Sequence, residues 1–216
     1  MKRQSYDRQE NETEKKPINW KEEIISWIQI IVMAAVIAFV LNTFIIANSR
    51  VPSASMENTI MTGSRVIGSR LSYGFGEPQR NDVAIFIFGY DCKECGTSYQ
   101  ETPDGVCPVC GRADKKNTTV YYVKRVIGMP GDIIDIKDGH VYLNNSETPL
   151  EEPYLAEPME TPKELHYEVP EGCYFMMGDN RNYSADARFW RYSYISEDKM
   201  IAKVLFRYFP SIGKIE

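Results

Sequence analysis

A chain of 216 residues is long enough for one substantial hydrophobic core plus an anchor. Its net charge of -5 excludes the basic character of a nucleic-acid binder. With 43% hydrophobic and 25% charged residues the composition is that of a globular protein, so disorder throughout is excluded too.

Residues 1–19 are polar and lack apolar periodicity, and they read as a mobile tail. From Ile24 to Ser49 the chain then carries no Asp, Glu, Lys or Arg. Such a run can cross a hydrocarbon core of about 30 Å as a helix. Trp20 and Trp27 sit near its start, where amphipathic rings favour the interface. A core helix rarely stays uncharged for so long. A cleaved signal peptide would have a shorter apolar region and small residues at its end, and Ile46-Ala47-Asn48 is a poor match. The expectation is an uncleaved transmembrane helix over 20–48. Lys2, Arg3, Arg8, Lys15, Lys16 and Lys21 precede the charge-free run, whereas only Arg50, Arg65 and Arg70 follow closely. That bias places the N-terminus in the cytoplasm and residues 49–216 outside.

Short β-like runs follow the anchor, at 65–71, 82–88, 121–127, 133–137, 140–143, 174–177 and 201–206. The run at 82–88 is apolar on both faces, like a buried strand. Asp138-Gly139 between two runs is a two-residue hairpin signal. No amphipathic helix of ten residues stands out, so the outer domain is expected to be mainly antiparallel β.

An insertion at 89–117 has a different character. It holds Cys92-x-x-Cys95-Gly and Cys107-x-x-Cys110-Gly. Two such pairs fit a four-thiolate zinc site, and outside the membrane they fit two disulfides as well. In both cases the role is structural, because four protein sulfurs leave no open position. Cys173 lies beside an apolar run and reads as a small buried hydrophobe.

Ser53 and Ser55 follow Pro52 directly after the apolar run. A serine hydroxyl needs a base before it can attack. The two histidines offer little: His140 follows a turn, and His166 sits in a polar stretch. Lys124 is different. It shares a strand face with Tyr122 and Val126, and lysines are rarely buried without a partner or a function. From an ordinary pKa near 10.4, roughly 1 lysine in 2,500 is neutral at pH 7, a cost of about 4.6 kcal/mol. Burial can remove most of it. Structural snorkelling is the other reading of Lys124. The stretch 178–190 is dense in hydrogen-bonding side chains between apolar strands, and there Asp186 can pair with Arg188 and Ser184 can orient Lys124. A solvated loop is its alternative.

Three stretches taken together resemble the type I signal peptidases, membrane-anchored Ser–Lys endopeptidases. They are Pro52-Ser53-Ala54-Ser55-Met56, then Tyr122 through Asp132, then Gly178-Asp179-Asn180-Arg181 with Asp186-Ala187-Arg188-Phe189-Trp190. The resemblance implies an antiparallel β catalytic domain behind a single span, at the outer face of the cytoplasmic membrane. It implies Ser55 as nucleophile and Lys124 as base, with the Ser53 hydroxyl and the Ser55 N–H holding the oxyanion. Ser184, Asp186 and Arg188 would support the site. Val51, Pro52, Met56, Ile60, Tyr122 and Val123 would line pockets for small residues, and the substrate would add as an extended strand. The implied partners are preprotein signal peptides, membrane lipid and, as a candidate, the protein-export machinery. No cofactor is implied for catalysis. A protease dedicated to few substrates, and a non-catalytic anchored zinc-ribbon module, would share much of this sequence. Asn58 stands where the family has a proline, Asn182-Tyr183 replaces Asp-Asn, and Arg191 replaces a glycine. The short segment after Leu143 leaves room for only a small hairpin as second lobe.

Overall fold

A computed structural model describes residues 19–161 and 163–215, so all of the expected tail except Asn19 lies outside the described residues. The chain divides into two compact units between Val40 and Leu41.

In the first unit, helix α1 (Trp20–Val40) opens at Asn19, whose carbonyl accepts the Glu23 N–H and whose side-chain amide donates to Glu22. Glu22 and Glu23 in its first turn suit the positive end of the helix dipole. None of its residues is buried, and it is apolar on all sides, a pattern suited to lipid. With the π-turn Leu41–Ile45 the apolar stretch spans 26 residues, about 39 Å of helix, enough to cross a bilayer.

The helix does not reach residue 48. Ile46–Arg50 is a strand, β1, paired antiparallel with β2 (Arg65–Ser69). Charge alone hides this boundary, because Ile46 and Ala47 prolong the apolar run while serving a sheet: Ala47 is buried in the β core. The short helix α2 (Leu71–Gly74) follows β2. Then come β3 (Val83–Asp91), β4 (Ser98–Gln100), β5 (Thr118–Gly128), β6 (Ile133–Lys137), β7 (His140–Leu143) and β8 (Leu165–Glu168). β9 (Cys173–Met177), β10 (Tyr194–Ser196), β11 (Met200–Phe209) and β12 (Gly213–Lys214) complete the chain.

All pairings are antiparallel. The larger sheet runs β1-β2-β11-β3-β5-β9-β10, with β12 on β11 and β4 on β3. β3 and β5 are the long central pair, in register from Val83↔Arg125 to Asp91↔Thr118. Phe86 and Val126 are fully buried between them and Met176 of β9. The smaller sheet is β7-β6-β8, not a bare hairpin. Asp138 and Gly139 take φ values of 50° and 77°, the turn that matches strand twist between β6 and β7. Leu165 and Tyr167 pack inward while His166 and Glu168 face out, so the period-two pattern of a strand lies inside a stretch that reads as polar.

Candidate active site

Ser55 sits in a tight turn, Ala54–Met56, between β1 and β2. The turn is fixed from the core side by Met56 and Ile60, both fully buried against Val66 and Val83. Those two residues were expected to line substrate pockets. The chain turns their side chains into the core instead, where their apolar surface leaves water, and they do not border the cleft. From the other side Asn180 pins the turn: its N–H donates to the Ser55 carbonyl and its side-chain amide to the Ala54 carbonyl, each at 3.1 Å. Ser55 Oγ lies 3.2 Å from the exposed Ser53 hydroxyl.

Lys124 arrives on β5 opposite Ala84 and is 4% exposed. Its ammonium lies 5.8 Å from the Tyr122 ring centre. Among the described residues it forms no ion pair within 4.0 Å and no side-chain hydrogen bond. Burial pushes its pKa from 10.5 down to about 8; Asp186 and Asp179 pull it upward, and Arg188 pushes it down. At that value about one molecule in ten carries a neutral lysine at pH 7. Removing the proton then costs about 1.4 kcal/mol. The Asp186 carboxylate is itself paired with Arg188, Oδ1 to Nε at 2.8 Å and Oδ2 to Nη2 at 2.9 Å, which offsets its pull on the lysine.

Ser55, Ser53, Lys124, Val51, Pro52, Tyr122 and Val123 border one cavity of about 360 Å³. Ala185 and the exposed Tyr183 also line it. No hydrogen bond joins Ser55 Oγ to Lys124 Nζ. Ser184 is buried, but its hydroxyl has no hydrogen-bond partner among the described residues and does not reach Lys124.

Beneath the cleft lie side chains whose roles the sequence did not reveal. Arg125, the neighbour of Lys124 on the opposite face of β5, forms a two-pronged pair with Asp179 at 2.8 and 2.7 Å, at 1% and 0% exposure. Thr59 donates to the same carboxylate. Arg181 forms a second such pair with Glu152 and donates to the Gly178 carbonyl. Tyr154 lies 3.9 Å from the Arg125 guanidinium. Such pairs add little net stability, yet breaking one leaves a buried charge at about 3–5 kcal/mol. They fix the path of 178–188 behind Ser55 and Lys124. Only the density of charged and amide side chains between apolar strands signalled them in the sequence.

The four ribbon cysteines form a separate cluster. Their sulfurs all lie within 4.8 Å of one another, with Cys92 to Cys110 at 3.4 Å and Cys95 to Cys107 at 3.7 Å. A tetrahedral ion with metal–sulfur bonds of about 2.3 Å sets sulfurs about 3.8 Å apart, so the donor set fits such an ion. The two knuckles repeat each other. Gly96 N–H donates to Cys92 O and Gly111 N–H to Cys107 O, each at 2.9 Å, with both glycines at φ near +70°.

A serine and a buried lysine without an ion pair thus border one cleft of an antiparallel β domain, the makings of a candidate hydrolase site. The family model described as "Signal peptidase, peptidase S26" matches residues 24–209. Signal peptidase I of Bacillus licheniformis is 32% identical over 185 residues, covering 82% of this chain and 84% of that protein. Probable signal peptidase I-1 of a Synechocystis species is 31% identical, covering 85% and 82%. Signal peptidase IB of Staphylococcus aureus strain COL is 30% identical, covering 88% and 92%. The chain belongs to the peptidase S26 signal peptidase family. It is therefore a serine endopeptidase, and a non-catalytic module no longer accounts for it.

Proposed function

We propose that the chain removes signal peptides from exported preproteins with a Ser55–Lys124 dyad at the outer face of the cytoplasmic membrane. The observation that carries this reading is the burial of Lys124 on the cleft that Ser55 borders, which lowers its pKa. Neutral Lys124 takes the Ser55 proton as the hydroxyl attacks the scissile carbonyl, and returns it to the leaving amine. The Ser53 hydroxyl and the Ser55 N–H hold the oxyanion, an interaction worth a few kcal/mol. The Ser184 hydroxyl, without a hydrogen-bond partner among the described residues, is the group available to hold Lys124 in place. Asp186 and Arg188 brace the loop and balance each other's field at the lysine. Val51, Pro52, Tyr122 and Val123 select small side chains, with Met56 and Ile60 supporting them from the core.

In this reading the span before residue 46 is a single-pass anchor with a cytoplasmic N-terminus, and the β domain from residue 46 onward is extracytoplasmic. The excess of Lys and Arg before the span supports that orientation. The four cysteines hold a structural zinc ion. The closed set of thiolates leaves it no place in the reaction.

The test is cleavage of a secretory precursor by the purified full chain, beside Ser55→Ala and Lys124→Ala. Wild type should release the mature protein and neither variant should. Full activity in either variant removes that residue from the dyad.

A further inference from the structure

β5 has two halves with different support. Its inner half, Arg125–Gly128, is buried and paired with β9, with Arg125 also opposite Val83 of β3 and Val126 hydrogen-bonded to Asn81 and Asp82 just before β3. Its outer half, from Thr118 to Lys124, is paired with β3 alone. That outer half supplies Val120, Tyr121, Tyr122 and Val123 to the wall of the Ser55 cleft. A segment with one open edge and partly exposed side chains has lower local stability than the core, so what anchors its ends affects its order. Core packing holds the Lys124 end, and the cysteine ribbon holds the other.

The junction with the ribbon is specific. Asp91, the last residue of β3, pairs with Thr118, and Cys92 comes next in the chain. Asn117, just before β5, accepts the Lys93 N–H at 3.2 Å and donates to the Tyr99 hydroxyl at 2.9 Å. It is 8% exposed, so these bonds form away from water. Gln100 ties the ribbon strand β4 to the far loop. Its side-chain amide donates to the Tyr192 carbonyl at 2.6 Å and accepts the Tyr192 N–H at 3.0 Å. Two residues earlier, the Trp190 ring packs on Phe88 and Tyr122. Phe88 and Tyr122 are themselves stacked, with centroids 4.1 Å apart.

We propose that the ribbon is a metal-dependent clamp on the outer half of β5. Metal binding fixes the cleft wall against which an extended substrate docks, and so sets substrate affinity. Proton transfer at Lys124, held from the core end, does not depend on the metal. This inference rests on reading the cysteines as a metal site and the cleft as the peptidase site.

The experiment uses the full chain in detergent micelles, zinc-loaded and chelator-stripped, with bound zinc measured by elemental analysis. Amide hydrogen exchange is followed together with precursor cleavage. Stripping should speed exchange at residues 118–122 and leave 125–128 unchanged. KM should rise about tenfold, the cost of ordering roughly one more residue of backbone on docking. The kcat and the acid limb of its pH profile should stay in place. Gln100→Ala, which keeps all four thiolates, should move exchange and KM in the same direction with zinc bound. Unchanged exchange and KM in a chain shown to have lost zinc would overturn the clamp. So would a Gln100→Ala chain indistinguishable from wild type, or a shift of the acid limb on stripping. A chain that never binds zinc overturns the metal reading and the clamp with it. A chain that binds zinc but cleaves nothing fails only as a peptidase, since exchange still reads the clamp.

Discussion

Gly178 and Ser184 meet so closely that a β-carbon at 178 would stand 2.2 Å from the Ser184 hydroxyl oxygen. The same β-carbon would lie 2.4 Å from the Ser55 carbonyl oxygen. Gly178 thus occupies the point where the serine turn and the 178–188 loop touch. Its N–H donates to Asp186 at 3.0 Å, which locks the approach from behind. Gly178→Ala must push Ser55, Ser184 or both aside. Displacements of about 1 Å in such sites cost about 100-fold, so kcat/KM for precursor cleavage should fall by at least that factor. Wild-type kcat/KM in this variant would show that the contact does not position Ser55.

Asn58 has φ of 82° and donates its side-chain amide to the Tyr154 carbonyl at 2.7 Å. Proline locks φ near −65°, so it cannot fit this turn. Asn58→Pro should destabilise the protein by about 3 kcal/mol, read as a lower thermal midpoint. Asn58→Gly, which tolerates positive φ, should lose far less. Equal midpoints for Asn58→Pro and wild type would contradict the turn.

Lys124 weakens the fold it serves. Between pH of about 8 and 10.5 the unfolded chain keeps the lysine proton while the folded chain has released it. Stability therefore rises with pH across that window, and the penalty is present in full below it. At pH 7 the cost reaches about 3 kcal/mol. Lys124→Met should be inactive yet melt at a higher temperature than wild type at pH 7. The gap should narrow as pH approaches 10. A lower midpoint for Lys124→Met at pH 7 would contradict the burial cost.

Arg188 sets the field at the lysine through Asp186. Arg188→Met removes a nearby cation and leaves the Asp186 carboxylate unopposed, and both changes favour the ammonium. The acid limb of kcat/KM should move to higher pH. An unmoved limb would mean that the pair braces the loop without tuning Lys124.

Much of the candidate site was legible in the sequence because it breaks local rules. A lysine on an apolar strand and two serines at the end of a charge-free run both stand out against their surroundings. The strands of the outer domain were visible from apolar patterning, as was the hairpin at Asp138-Gly139. What stayed hidden depends on contacts distant in sequence. Arg125 and Asp179 pair across 54 residues, and Asn180 reaches the Ser55 turn across more than a hundred. Gly178 reads as a turn glycine until Ser184 is seen against it. Met56 and Ile60 looked like pocket residues because they flank the serine, and only the fold shows their side chains committed to the core. The end of the helix was misplaced because Ile46 and Ala47 suit a membrane and a β core equally well.

In the proposed mechanism Lys124, its pKa lowered to about 8 by burial, is the base that activates Ser55. The pH dependence of kcat/KM for precursor cleavage by the purified full chain tests it most directly. The rate should fall on the acid side through an apparent pKa near 8, as Lys124 gains its proton. A profile flat from pH 5 to 9, or one falling near the histidine value of about 6.5, would contradict it.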